Sequence, residues 1–315
     1  MVQLKVLVTG GAGFIGSHLV ERLAAQGHRV AVVDDLSGGS RANVGVLAGA
    51  PGVDFVEGDF AGDQVLAKLV PGSDVVVHLA AKVGVASSVR DPGLVHEVNV
   101  NRTLRLLGAC AKEKVGRVVL ASSAAVYGNA PPPVSEDAPP APLSPYAASK
   151  VACEAYCRAF QGSYDLPSVV LRFMNVYGPR MGDAYGAVMP EFARRAEEGT
   201  PLVVQGDGGQ TRDFVHVGDV VEAMTLAMTV EGAVGRVFNV GTGVPTSIAR
   251  LAEMFLAAGG RPGGGVSHAP SREGDIRESY ADTSRARHVL GFVAKTKLSD
   301  GVPEFLEWHS GRALR

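Results

Sequence analysis

The chain has 315 residues, of which 46% are hydrophobic, and its 30 basic and 32 acidic residues give a formal net charge of −2. This length and apolar content are sufficient for a full hydrophobic core, which excludes an intrinsically disordered chain. The charge is balanced and the chain has no basic tract, so we expect no nucleic acid partner.

Short Val-rich runs alternate with helix-like segments over the first 174 residues. Continuous apolar strands separated by helices are typical of a parallel sheet that is covered on both faces. The sequence therefore predicts an α/β fold of the Rossmann type, with a doubly wound parallel sheet. The predicted strands are LKVLVT (4–9), HRVAVVD (28–34), VDFVEGD (53–59), DVVVHLA (74–80), RVVLASS (117–123) and SVVLRFM (168–174).

The pattern becomes less regular after residue 174. Helices are predicted near 188–198, 218–229 and 246–258, with a strand at RVFNVG between the last two. We interpret much of this region as a smaller α/β lobe, interleaved with the end of the sheet, that binds the substrate. The expected division is 1–172 plus about 215–245 for the sheet domain, and about 173–214 plus 246–315 for the lobe.

The cysteines and the termini indicate the compartment. Cys110, Cys153 and Cys157 contain no C-x-x-C pair and are interpreted as buried thiols in a reducing environment, with metal binding by Cys153 and Cys157 as the alternative. No run of 18 apolar residues occurs, and the chain starts almost directly with LKVLVTG, which leaves no room for a signal peptide. We expect a cytoplasmic protein without a membrane partner.

A glycine-rich turn, TGGAGFIGSH, follows the first predicted strand and opens a helix. Gly10, Gly13 and Gly16 are spaced three apart. Glycines there permit a tight turn and close backbone approach to a pyrophosphate, and the helix N-terminus supplies N–H donors. Close packing alone can also require glycine, but the flanking strand and helix favour a dinucleotide site.

Acidic residues at two strand ends refine this prediction. Asp34 ends the second strand, where a carboxylate accepts from a ribose 2′-OH and repels a 2′-phosphate, so NAD is predicted as the cofactor over NADP. The alternatives are that Asp34 is only a turn residue, or that the nearby Arg41 binds a 2′-phosphate. Asp59 is predicted to meet the adenine amino group, with a turn-forming role as the alternative.

The segment SPYAASK, residues 144–150, predicts a helix start. Ser144 is a favourable N-cap and Pro145 a favourable first helical residue. Tyr146 and Lys150 then share one helical face, with Cβ atoms roughly 5–6 Å apart. Taken alone, the pattern also fits a surface tyrosine above a solvated lysine.

TGGAGFIG (9–16), ASSAAVYG (121–128) and SPYAASK together resemble the extended short-chain dehydrogenase/reductase family. The resemblance extends along nearly the whole chain. RFMNVYGPR (172–180), TRDFVHVGD (211–219), NVGTG (239–243) and the R-x-G-D at 272–275 are similar to the nucleotide-sugar branch of that family, and most of all to its UDP-galactose 4-epimerases.

The resemblance implies catalytic and cofactor-binding roles. Tyr146 would be the acid/base, Lys150 would stabilise its phenolate and bind the nicotinamide ribose, and Ser123 would donate to or relay from the sugar hydroxyl. Ser123 and Ser122 also fit strand-end serines that bond to the backbone. His78 and Asn99 are interpreted as mainly structural, although Asn99 could contact the nicotinamide side. Further expected cofactor contacts are Phe14, Ile15, Phe60, Leu79, Ala80, Ala81, Asn99 and Ser122.

The resemblance also implies a UDP-sugar site. Asn175 would contact the phosphate or the sugar, and Arg212 with Arg272 would bind the UDP diphosphate, since guanidinium groups suit paired anionic oxygens. Asp275 would accept from the uridine ribose. The alternative is that both arginines only form surface ion pairs with neighbouring acidic residues.

Ser279 is the expected neighbour of the sugar's C2 substituent. A small residue there leaves room for an N-acetyl group that a bulky aromatic would exclude. The alternative is that Tyr280 swings into this position.

The resemblance thus predicts an enzyme of galactose metabolism that inverts C4 of a UDP-hexose through a transient 4-keto sugar. A dehydratase or decarboxylase is disfavoured because Ser123 is followed by Ala124 and Ala125, where those enzymes carry acids. UDP-glucuronate 4-epimerisation is another alternative, as is a catalytically silent NAD-binding regulator, which should have lost Tyr146 or Lys150.

A homodimer is expected through the Tyr146 helix and the helix around 93–113. VACEAYCRAF (151–160) offers a second apolar face, which also fits core packing.

Overall fold

The computed structural model describes residues 2–45, 49–182, 187–259, 265–271 and 276–311. The strands in these ranges are β1 (Lys5–Thr9), β2 (Arg29–Asp34), β3 (Val53–Glu57), β4 (Val75–His78), β5 (Arg117–Ser123), β6 (Ser168–Phe173), β7 (Asn175–Tyr177), β8 (Leu202–Gln205), β9 (Thr211–Arg212), β10 (Phe214–His216), β11 (Val237–Val240), β12 (Thr246–Ser247), β13 (Val266–Ala269) and β14 (Glu278–Ser279).

The helices in the same ranges are α1 (Phe14–Ala25), α2 (Arg41–Gly45), α3 (Asp63–Leu69), α4 (Val85–Arg90), α5 (Pro92–His96), α6 (Arg102–Lys112), α7 (Pro145–Tyr164), α8 (Val188–Glu198), α9 (Val217–Thr229), α10 (Ile248–Gly259) and α11 (Leu298–His309). A π-helical turn, Glu97–Asn101, precedes α6, and a 3₁₀ turn, Ala124–Tyr127, follows β5. None of the helices in the described part of the chain is long and apolar enough to cross a membrane.

The central sheet has the order β11-β6-β5-β4-β1-β2-β3 within the described ranges, and every neighbouring pair in it is parallel. The strand order reverses at β1, which pairs with β2 on one side and with β4 on the other. In such sheets ligands bind beyond the carboxyl ends of the strands at this reversal. The predicted doubly wound parallel sheet is confirmed.

Both faces of the sheet are covered by helices, as the continuous apolar strands require. One face packs against α1 and α9, through residues such as Leu19 and Met224. The other packs against α3, α6 and α7, through residues such as Leu107 and Phe160.

All the cysteines lie in this second layer. Cys110, Cys153 and Cys157 are buried and unbridged, as predicted. Burial raises the pKa of all three thiols, to about 12 for Cys110. The described residues contain no group of three or more His, Cys, Asp or Glu side chains that could hold a metal.

A further cluster of buried side chains packs between α8, α10 and α11. Its centre is aromatic, with ring centroids 5.7 Å apart for Phe192 and Phe255 and 6.4 Å apart for Phe255 and Phe305. The predicted helices near 188–198, 218–229 and 246–258 are found as α8, α9 and α10. Phe14, the first residue of α1, also packs into this cluster and so connects it to the glycine-rich turn.

Candidate active site

The turn between β1 and α1 has no space for side chains. Gly10 has a φ of +74°, and a Cβ on it would lie 2.7 Å from the Ala80 backbone nitrogen. A Cβ on Gly16 would lie 2.2 Å from the Gly10 carbonyl oxygen. Gly13 forms the N-cap of α1 and brings no side chain to the helix end. Bare backbone at a helix N-terminus is suited to a pyrophosphate.

Asp34 lies at the end of β2 beside this turn and is 8% exposed. Its two carboxylate oxygens accept from the Ala12 N–H at 3.0 Å and the Leu36 N–H at 2.8 Å. Burial raises the pKa of this carboxyl group. Two backbone bonds leave further acceptor sites on the carboxylate, which a ribose diol can use. Arg41 forms an ion pair with Glu57 at 2.6 Å.

A cavity of about 940 Å³ runs from the glycine-rich turn past the ends of β1, β4 and β5 to α8. This volume is at the upper end of the range for one small-molecule site and gives room for a cofactor and a second ligand side by side. The residues expected in the site that line it are Gly10, Gly13, Phe14, Ile15, Gly16, Asp34, Phe60, Leu79, Ala80, Ala81, Ser122, Ser123, Tyr146, Lys150, Asn175 and Arg212.

Three expected site residues lie beside the cavity lining. Asp59 pairs with Arg102, which does line it, at 3.1 Å. Asn99 is 1% exposed, and its side chain bonds to both backbone groups of Lys82 and to the Ser149 hydroxyl. Ser279 lies in β14.

Arg272 and Asp275, the other expected substrate contacts, lie outside the described residues. The alternative pairing of Arg272 with Glu273 or Asp275 also lies outside them.

Tyr146 and Lys150 occupy the first two turns of α7. The helix starts as predicted, with the Ser144 hydroxyl accepting from the Ala147 N–H at 3.1 Å. The Lys150 ammonium lies 5.9 Å from the centroid of the Tyr146 ring and donates to the Ala121 carbonyl of β5 at 2.8 Å. Lys150 is 6% exposed, so its charge acts on the tyrosine through a partly desolvated space.

Ser123 is the last residue of β5. Its hydroxyl oxygen accepts from the Ala125 N–H at 3.2 Å and caps the 3₁₀ turn. Because that bond uses an oxygen lone pair, the hydroxyl proton is available to a group in the cavity. Tyr146, Lys150 and Ser123 form one wall of the cavity. This wall combines a phenol, an ammonium group and a hydroxyl donor, which is a set suited to moving a proton to and from an alcohol.

The other end of the cavity is formed by β7, β9 and the start of α8. Arg212 donates to the carbonyls of Thr211 at 2.8 Å and Ile276 at 2.7 Å. The adjacent Asp213 is fully buried and accepts from the backbone N–H groups of Thr242 and Gly243. The Asp213 bonds fix the backbone beside Arg212, and the bonds from Nη1 hold its guanidinium group at the cavity edge.

Sequence reasoning missed several lining residues, namely Lys82, Arg102, Glu191, Arg194 and Arg195. The position of Lys82, four residues after β4 at the strand reversal, was an available signal. The others depend on how α6 and α8 pack.

The comparisons with known proteins agree with this geometry. The model of the NAD dependent epimerase/dehydratase family matches residues 6–241. The chain therefore belongs to that family. Its cofactor is NAD, which the glycine-rich turn and Asp34 fit.

Individual relatives indicate which members of the family this chain is similar to. UDP-glucose 4-epimerase from Mycolicibacterium smegmatis is 41% identical over 98% of this chain and 100% of its own length. A dTDP-glucose 4,6-dehydratase from Actinoplanes sp. is 34% identical over 97% of this chain and 98% of its own. The structure of UDP-glucose 4-epimerase from Thermotoga maritima, solved with UDP-glucose, superposes with a TM-score of 0.91 at 35% identity, covering 99% of this chain and 100% of that one. The chain is thus similar to nucleotide-sugar epimerases and dehydratases.

Proposed function

We propose that the protein inverts C4 of UDP-hexoses, interconverting UDP-glucose with UDP-galactose and the corresponding N-acetyl sugars. This activity would give it a role in galactose metabolism. The observation that carries the proposal is the composition of the turn after Ser123, where the lining residue is Ala125. Eliminating water from a sugar requires an acid to protonate the leaving hydroxyl. Methyl groups at Ala124 and Ala125 cannot do so.

The remaining carboxylates of the lining do not replace that acid. Asp34 and Asp35 lie at the end of β2, beside the glycine-rich turn, whereas Ser123 lies at the end of β5 and Tyr146 lies on α7. Glu191 on α8 bonds to Arg194 and Arg195, and these arginines lower its pKa. It therefore stays ionised near neutral pH and is a poor proton donor.

Each residue of the wall has one task in the proposed reaction. Tyr146, as the phenolate, removes the proton of the sugar 4-OH, and it returns the proton when the 4-keto group is reduced. The Lys150 ammonium stabilises the phenolate, and the Ser123 hydroxyl donates to the sugar oxygen. Bound NAD supplies the hydride acceptor and donor at C4.

The end of the cavity that is formed by β7, β9 and the start of α8 is proposed to bind UDP. Arg212 would bind the diphosphate together with Arg272, while Asn175 would contact the phosphate or sugar and Asp275 the uridine ribose. A positively charged side chain at a cavity edge suits this role because its cost of desolvation is small there. We assign NAD binding to 1–172 plus about 215–245, and UDP-sugar binding to about 173–214 plus 246–315. Most residues of the buried cluster between α8, α10 and α11 come from the second of these ranges, which supports the division.

Ser279 supports acceptance of N-acetyl sugars. In the parallel pair of β14 with β9 its register partner is Arg212, so both side chains lie on the same face of the small sheet. Arg212 lines the cavity, and the hydroxymethyl group of Ser279 takes little space beside it. Tyr280, the next residue, lies just beyond β14, and its carbonyl accepts from the Val134 N–H.

The test is to incubate the purified protein with a panel of UDP- and dTDP-sugars and resolve the products by chromatography. We expect C4 epimers of UDP-glucose and UDP-N-acetylglucosamine and no 4-keto-6-deoxy sugar. Tyr146→Phe should retain bound NAD and lose turnover by at least about 10²-fold. A 4-keto-6-deoxy product, or near-normal turnover by Tyr146→Phe, would contradict the proposal.

One substitution tests whether the site accepts N-acetyl sugars as well as UDP-glucose. Ser279→Tyr should lower kcat/KM for UDP-N-acetylglucosamine by at least about tenfold and leave UDP-glucose almost unchanged, because only the larger substituent meets the ring. Ser279→Ala is the matched control and should keep both activities. Unchanged acetyl-sugar turnover by the tyrosine variant would remove Ser279 from this role.

The homodimer is also a proposal. α4, α5 and α7 present apolar side chains that are 36–63% exposed, namely Val85, Val89, Leu94, Tyr156 and Tyr164. A shared apolar face of neighbouring helices is suited to a two-fold contact. Light scattering at micromolar concentration should give about twice the chain mass, and a monomer would contradict the assignment.

A further inference from the structure

A buried ion pair lies behind the wall that carries Ser123. Glu154 of α7 and Arg172 of β6 have side chains only 9% and 5% exposed. The guanidinium group donates twice, from Nε to Oε1 at 3.0 Å and from Nη2 to Oε2 at 2.6 Å. The Ser122 hydroxyl also donates to Glu154 Oε1, at 2.5 Å. One carboxylate therefore joins α7 to both β5 and β6.

The ion pair is next to the proposed catalytic residues along the chain. Tyr146, Lys150 and Glu154 follow one another at intervals of four residues and share one stripe of α7. Lys150 bonds to the Ala121 carbonyl, and Glu154 bonds to the next residue of β5, Ser122. Two successive turns of α7 are thus attached to two successive residues of the strand that ends at Ser123.

The C-terminal end of the 3₁₀ turn, Tyr127, also contacts the Arg172 guanidinium group. The Arg172 guanidinium carbon lies 4.7 Å from the centroid of the Tyr127 ring, and Tyr127 ends the turn that Ser123 begins. The Tyr127 hydroxyl donates to the Asn239 side-chain oxygen of β11 at 2.5 Å. Residues 122 and 127, on either side of Ser123 and Ala125, therefore both depend on the position of Arg172.

Stability alone does not explain this pair. Desolvation of two charges offsets much of their attraction, and apolar residues of similar volume often replace a buried pair without loss of stability. The bidentate contact does fix the orientation of α7 relative to β6, because a planar guanidinium group donates to both oxygens of a carboxylate in one geometry only.

We propose that Glu154, held by Arg172, is a positioning residue for catalysis. It orients Ser122 and the end of β5, and thereby directs the Ser123 hydroxyl towards the same sugar oxygen that Tyr146 deprotonates. This inference rests on the roles given to Ser123 and Tyr146 under the proposed function. Glu154 itself lies outside the cavity lining.

The test removes both charges together. Glu154→Met/Arg172→Met substitutes flexible apolar side chains of similar length. Ser122→Ala removes the hydroxyl that joins Glu154 to β5, and because Ser122 also lines the cavity, its bound NAD is measured beside kcat. We expect both variants to lower kcat by about 10- to 100-fold, as small misplacements of reacting groups do. KM should stay within about threefold, and bound NAD, measured after heat release, should be retained. The triple variant should lose little more than either, since all act through one contact.

The matched control is Phe160→Leu, which disturbs the buried face of the same helix away from the cavity. It should lower the melting temperature and leave kcat close to wild type. The positioning role is wrong if the double methionine variant and Ser122→Ala both keep kcat within about twofold of wild type. If the double variant does not fold, Ser122→Ala alone decides.

The two proposals can fail separately. Every kcat ratio is measured on whichever nucleotide sugar the wild-type enzyme turns over, so an unexpected substrate overturns the proposed function and leaves the ratios interpretable. A wild type without turnover on the whole panel overturns both.

Discussion

Two polar networks flank helix α7, which carries Tyr146 and Lys150, and the networks differ in charge. On the β6 side, Ser122, Glu154 and Arg172 form a charged network with the short contacts described above. On the β4 side, Thr9, His78, Thr103 and Asn99 form a neutral one, with every member 4% exposed or less. Both are buried and both reach the cavity wall.

The neutral network has a defined direction. The Thr103 hydroxyl donates to the Asn99 carbonyl at 2.6 Å, so it accepts from His78 Nε2–H at 2.8 Å. His78 Nδ1 is then the acceptor for the Thr9 hydroxyl at 2.7 Å, and Thr9 accepts from the Ala80 N–H at 3.3 Å. Every proton in this chain of bonds is used once.

The difference between the networks determines how each one fails. The charged network tolerates loss of both charges better than loss of one, because one buried charge is then left without a partner. The neutral network is disturbed by a single added proton, because a protonated His78 Nδ1 can no longer accept from the Thr9 hydroxyl. The charged network is therefore tested by substitution, and the neutral network by lowering the pH.

The largest expected effect is removal of one partner of the charged network. Arg172→Met leaves the Glu154 carboxylate buried beside Ser122 and should lower the free energy of unfolding by about 3–5 kcal/mol. Glu154→Met/Arg172→Met should lose much less. Urea denaturation followed by circular dichroism measures both. If the double variant is as unstable as the single one, the pair is held by packing and not by charge balance.

The second effect is acid sensitivity of the neutral network. Burial, with a contribution from the Lys150 charge, lowers the pKa of His78 to about 3. Between this value and about 6.5 the unfolded chain binds a proton that the folded chain does not, so stability falls as the pH falls. From pH 7 to 5 this should remove about 2 kcal/mol.

His78→Gln isolates that contribution, since an amide can both accept from Thr9 and donate to Thr103 without titrating. Its free energy of unfolding should fall less than that of the wild type over the same pH interval. Equal slopes for the two proteins would show that other groups cause the acid sensitivity.

The smallest effect concerns one bond of the neutral network. Thr103→Val keeps the shape of the side chain but leaves His78 Nε2–H without its acceptor, which should cost about 1–2 kcal/mol. Thr103→Ser is the matched control, because it keeps the hydroxyl group and loses only a methyl. A valine variant as stable as the serine variant would contradict the assignment of the Thr103 hydroxyl as the hydrogen-bond partner of His78.

The sequence was sufficient to predict the sheet and the helix starts. The apolar runs that end at Thr9, Asp34 and Ser123 alternate with helix-like segments, a pattern that favours a parallel sheet. The Ser144 cap and Pro145 mark the start of α7. The glycine spacing similarly predicted a turn in which a Cβ cannot fit. These features are local, so a short window contains all their causes.

The networks could not be predicted in the same way. Glu154 and Arg172 are 18 residues apart, and their contact requires β5 and β6 to pair so that Ser122 lies opposite Arg172. The bonds of the Asn99 side chain to Lys82 and Ser149 likewise join three separate segments, one of which is a π-helical turn. Strand order and register decide such contacts, and neither can be read from periodicity.

The reactivity of the three buried thiols can be used to measure local opening of the folded chain. They are the chain's full complement of cysteines, and they lie where α6 and α7 pack on the sheet. Their raised pKa values and burial should leave the folded enzyme almost unreactive towards maleimides at neutral pH. Alkylation, followed by mass spectrometry without any engineered label, would therefore report how often α7 separates from the sheet.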